Sequence, residues 1–137
     1  MTNGRVGSTM TFFMRETATA EIRLREDGIL SMRIPRGIAQ TLADAEDTMA
    51  IALAATAGTR RPLLVDIVGT KPLDAEIRHY YAGQRLDPFL AVALLAHASP
   101  LGRMMGTVYL LVARPAIPSR LFTNEPEAVN WLKGFLS

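Results

Sequence analysis

The sequence predicts a single α/β domain, a mixed β-sheet with helices packed on it. Three observations carry that expectation. Short apolar runs alternate along the chain with segments of helical periodicity, the order that builds sheets with helices across their faces. An Asp-Gly pair joins two alternating runs near the start, marking a β-hairpin. With 137 residues, 49% of them hydrophobic, the chain suits one compact core and is too apolar for a disordered segment.

The elements follow in order. Ala20-Glu-Ile-Arg-Leu-Arg25 alternates polar and apolar, which places Ile22 and Leu24 on one face of a strand. Ile29-Leu-Ser-Met-Arg-Ile34 alternates less cleanly, with Leu30, Met32 and Ile34 toward the core. Glu26-Asp27-Gly28 supplies the turn between them. Before this hairpin, Met10-Thr-Phe-Phe-Met14 is read as a further strand or a hydrophobic arm. Residues 1–9, polar and Gly-rich, are expected to be a flexible tail, so the domain spans 10–137.

Pro35 and Gly37 break the strand pattern. From about Thr41 the residues Leu42, Ala45, Met49, Ala52 and Leu53 recur at helical spacing. Asp44, Glu46 and Asp47 lie toward the positive end of that helix dipole, and Gly58 is the expected stop. Leu63-Leu-Val-Asp-Ile-Val68 reads as a buried strand with one charge in it. A second helix is expected from Asp74, its N-cap, to Gln84, with Ile77 and Tyr81 inward. Phe89 to Ala96 is the most apolar strand, Ser99 caps a short helix to about Met105, and Val108-Tyr-Leu-Leu-Val112 is assigned as another strand. The chain closes on a docked helix: Asn124 as N-cap, Pro126 in the first turn, Glu127 three residues on, and Ala128, Trp131, Leu132 and Phe135 as its apolar stripe.

Composition narrows the chemistry. The absence of cysteine removes disulfides and thiolate metal sites. A net charge of +2 is too small for non-specific nucleic-acid binding, so no nucleic-acid partner is expected. The longest apolar runs are too short to span a bilayer and the start lacks the apolar core of a leader, so the expectation is a cytoplasmic protein with no membrane partner. Gly-x-Ser-x-Gly, Walker, Gly-x-Gly-x-x-Gly and His-Glu-x-x-His motifs are all lacking. His79 and His97 fall in separate elements with no acidic cluster beside them. No catalytic residue, metal or cofactor is assigned.

Several side chains remain as candidates. Asp66 lies at or near the carboxyl end of a buried strand, where α/β sheets place their ligand crevice. Arg78, on the next helix, is positioned to reach back to it, either as a structural pair or as part of a recognition site. Arg103, Arg114 and Arg120 share a stretch with no acid; Arg103 and Arg120 are candidate anion ligands. Met104-Met105 suits an adaptable partner surface or the core. The apolar segment 10–14 would be awkward in water unless covered, which favours a homodimer.

The strand Leu63-Leu-Val-Asp66, a loop, and a helix carrying Asp74-x-Glu76-Ile-Arg78 together resemble SpoIIAA-like, or STAS-like, domains. An uncharacterised bacterial branch is similar over about 18–136, through Ala91-Val-Ala-Leu-Leu95, Ser99 with Arg103, Ile117-Pro-Ser-Arg-Leu-Phe122, Glu125-Pro-Glu-Ala128 and Trp131-Leu132. The resemblance implies a mixed sheet and a non-enzymatic regulatory or protein-interaction role, with Asp66, Asp74 and Arg78 at the partner-binding surface. Anti-sigma-factor antagonists of this class carry a phosphorylatable Ser at the start of the helix after the central strand. Here Lys71-Pro-Leu-Asp74-Ala75 occupies that position and Thr70 is the nearest hydroxyl, so the kinase switch is not expected. The alternative implied by the same architecture is a small-molecule or lipid-binding domain.

Overall fold

The structure, a computed structural model, describes residues 11–16, 20–35, 37, 39–67, 76, 80, 88–96, 100, 103, 104, 107, 110 and 117–136. Six strands, β1 (Thr11–Glu16), β2 (Glu21–Arg25), β3 (Leu30–Arg33), β4 (Arg61–Asp66), β5 (Phe89–Leu95) and β6 (Ser119–Phe122), form one sheet in sequence order. Pairs β1–β2 and β2–β3 are antiparallel; β3–β4, β4–β5 and β5–β6 are parallel. The sheet is thus mixed, as expected. Segment 10–14 resolves in favour of a strand, since Thr11–Glu16 pairs along β2.

The β2–β3 hairpin forms where Asp27-Gly28 placed it. Gly28 takes φ +93°, its N–H donates to the Arg25 carbonyl (3.0 Å), and the Arg25 N–H donates to the Ile29 carbonyl (2.9 Å). A residue with a Cβ is strained at that φ, and a Cβ would also stand 3.3 Å from a guanidinium nitrogen of Arg61. The backbone conformation of the turn therefore selects glycine, and the flexible Arg61 end would have to give way to any larger residue.

Alternation divides the sheet between two cores. Ile22, Leu30, Met32, Leu63, Phe89 and Val92 pack on one face with Met49, Ala52 and Ala55 of α1 (Leu42–Thr56). Leu64, Ala91, Ala93 and Leu95 face the other side and pack with Phe122 and with Ala128, Val129 and Leu132 of α2 (Glu125–Lys133). The small residues Ala91, Ala93 and Ala128 let α2 lie close to β5. Both helices are capped by their own sequence. In α1 the Asp44 N–H donates to Thr41 Oγ1 (3.1 Å) and the Thr41 N–H donates to Asp44 Oδ2 (2.9 Å), a reciprocal box. In α2 the Glu127 N–H donates to Asn124 Oδ1 (2.9 Å). The stop after α1 starts one residue earlier than expected, because Ala57 is already left-handed (φ 53°) before Gly58 (φ 82°).

One assignment is corrected. Leu110, at the centre of the expected strand 108–112, is helical, as is Thr107 beyond the expected helix end at Met105. The final strand is instead Ser119–Phe122. A five-residue apolar run such as Val108–Val112 fits a buried helix as well as a strand, and periodicity alone does not separate them. Glu76 and Tyr80 have helical backbone within the expected 74–84 helix. The tail 1–9, Ser99 and Tyr81 lie outside the described residues.

Candidate functional site

Asp66 ends β4, half-buried, where the parallel strands finish. The register places it between Arg33 of β3 and Leu95 of β5, and the same row continues to Glu21 on β2 and Phe122 on β6. Directly paired residues share a face, so Glu21, Arg33, Asp66, Leu95 and Phe122 all lie on the α2 side. The row runs from acid through base and acid to apolar residues. Over β5 and β6 this face is covered by α2; toward β2 and β3 it turns polar.

Glu21 organises the polar end. Its side chain is largely buried, and its two carboxylate oxygens accept from different arginines: Oε2 from Arg33 at 3.3 Å and Oε1 from Arg23 at 3.5 Å. Both arginine side chains are about half exposed, 51% for Arg33 and 42% for Arg23, while Glu21 restrains them. Sequence reading named neither Glu21 nor Arg33. The alternation of residues 20–25 was a usable signal for Glu21, but its pairing with Arg33 follows only from the hairpin register.

The expected partner-binding residues Asp74 and Arg78 lie outside the described residues, so the Asp66–Arg78 pairing is not described. Glu76, between them, is exposed, and Tyr80 packs against the α1-side core. That contact places Tyr80 on the α1 side of the sheet.

The two candidate anion ligands do not share a face. Arg120 is exposed and lies over two rings, 5.0 Å from the Phe122 centroid and 5.7 Å from that of Trp131. Arg103 lines a shallow hollow of about 500 Å³ with Pro100, Met104, Thr107 and Leu121. Leu121 and Arg120 are consecutive in β6, so their side chains stand on opposite faces. Met104 is exposed, at 58%, which puts this methionine on the surface rather than in the core. No group of three or more His, Cys, Asp or Glu side chains suited to a metal occurs among the described residues. No helix among them is long and apolar enough to cross a membrane.

A family model described as a domain of unknown function (DUF7793) matches residues 22–136. The chain belongs to the DUF7793 family. No curated protein matches it. Among solved structures it is similar to an uncharacterised protein of the DUF3478 family from Shewanella loihica PV-4, which has a SpoIIAA-like fold. That match has a TM-score of 0.57 and 18% identity, covering 86% of this chain and 97% of the other. It is also similar to a protein of unknown function from Arthrobacter sp. FB24, at 31% identity, covering 81% of this chain and 96% of the other, with a TM-score of 0.32. The DUF7793 chain therefore has a SpoIIAA-like α/β fold, as the order of its motifs implied.

Proposed function

We propose that this DUF7793 protein is a non-enzymatic interaction module, homodimeric and cytoplasmic, that docks a partner protein at the carboxyl edge of its parallel strands. Asp66 is the centre of the docking edge, with Asp74 and Arg78 from the following segment and the Glu21–Arg33 pair beside it. The observation that carries this reading is the row Glu21–Arg33–Asp66–Leu95–Phe122, which sets opposite charges side by side at one end of the sheet, next to Leu95 and Phe122 buried beneath α2. That is the end where parallel α/β sheets bind ligands. Exposed, restrained arginines beside acids suit recognition by complementary charge.

The test is quantitative affinity capture from the native host with the wild type, Arg78→Glu and Asp66→Lys. One stoichiometric protein is expected with the wild type and lost with both variants, while circular dichroism shows them folded. Undiminished capture by the folded variants removes this edge from the proposal. A small molecule retained in place of any protein moves the assignment to the ligand-binding alternative.

A further inference from the structure

We infer that the outer edge of β6 is the homodimer interface, where two copies join their sheets by antiparallel pairing about a two-fold axis at Leu121. This rests on the dimeric half of the proposed function and not on its docking half. On the inner side of β6, the carbonyls of Pro118 and Phe122 accept from the N–H groups of Val92 and Ala96, each at 2.9 Å. Backbone groups alternate sides along a strand, so those of Arg120 also face β5, and the N–H and C=O of Ser119 and Leu121 face away from it. Among the described residues no strand pairs on that outer side.

The sheet's two edges differ. β1 has an irregular register between Thr11 and Phe13, a break that blunts an edge against further pairing. The register of β6 with β5 is unbroken. Beside the β6 edge, Leu121 and the exposed Met104 line the same hollow.

A second copy fits this edge through its own symmetry. With Leu121 on the axis, its outward N–H and C=O bond reciprocally to those of the other Leu121, the self-complementary arrangement of a two-fold interface. The register then sets Arg120 against Phe122 of the second copy, and Ser119 against its Thr123. A register centred one residue earlier would set two Arg120 side chains directly opposite each other, which is unfavourable. On the other face, the two Leu121 and the two Met104 side chains come together and leave water.

The chain's lack of cysteine makes the test direct. Leu121→Cys places two thiols across the axis at the spacing of a hydrogen-bonded antiparallel pair, about 5.5 Å between Cα atoms, within disulfide range. Phe13→Cys marks the opposite edge. In sedimentation velocity at micromolar concentration, the native chain is expected as a dimer and Met104→Glu as a folded monomer. Mild oxidation should give a covalent dimer with Leu121→Cys and little with Phe13→Cys. A monomeric native chain overturns both the interface and the dimer. A dimer that survives Met104→Glu and cross-links through position 13 instead overturns the interface alone.

Discussion

At Asp27 one carboxylate ties the hairpin turn to its surroundings. Its Oδ1 accepts from the Ile29 N–H (3.1 Å), and Arg25 reaches its two oxygens through Nε and Nη2, the shortest contact being 2.9 Å. Partial burial is the largest single influence and pushes the pKa up. The hydrogen bonds from Arg25 and Ile29, with the positive charges of Arg25 and Lys133, outweigh it and hold the group below its ordinary value of 3.8. A carboxylate with a depressed folded pKa contributes stability above the unfolded value, and that contribution disappears as pH falls through the folded one. Asp27→Asn should therefore lower the urea midpoint at neutral pH, and the gap to wild type should close below pH 3.8. A gap unchanged between neutral pH and about pH 3 would contradict this account. The Asp27-Gly28 turn was legible in the sequence because its chemistry is local. The bridge from Glu21 to Arg33 was not, because it depends on which residues two strands set opposite each other.

At the scale of elements, α2 is the plainest case of sequence specifying structure. Asn124, Pro126 and Glu127 start the helix, and Ala128 and Leu132 on its inner stripe are fully buried. Trp131 on the helix and Phe135, which lies just past the Gly134 C-cap rather than on the helix, meet edge to face, 4.9 Å between centroids. Glu125 in its first turn pairs with Arg25 at 3.4 Å, fastening the helix to the hairpin. That exposed pair contributes little, and the apolar stripe does most of the holding. Leu132→Ala is expected to cost about 2–5 kcal/mol, read from chemical denaturation followed by Trp131 fluorescence. A loss below about 1 kcal/mol would mean that α2 is not held by this core. Elements without such punctuation read poorly. Val108–Val112 has the composition of a strand but contains a helical Leu110, and the true edge strand, Ser119–Phe122, is too short and polar to show a period.

Across the whole molecule, the antiparallel meander β1–β2–β3 supplies three strands through local contacts, and the parallel strands bring together residues far apart in sequence. The SpoIIAA-like order was readable because the buried strands and the final helix are each strongly marked. The proposed docking edge was only partly readable: Asp66 declared itself as a charge within an apolar strand, whereas Arg33 became its neighbour through the parallel register. The proposed role also makes a claim about what the purified protein holds. Native mass spectrometry after gentle purification from the native host should show polypeptide mass alone; a stoichiometric lipid or metabolite adduct would favour the binding-domain alternative.

The position of α2 in the chain also bears on synthesis. It leaves the ribosome after every strand whose face it covers, so Leu64, Ala93 and Leu95 are made well before the residues that shield them. For that interval the nascent sheet offers a sticky, aliphatic surface of the kind that promotes association until α2 closes over it. Slow translation beyond β6 would prolong that exposure and should lower the yield of soluble protein.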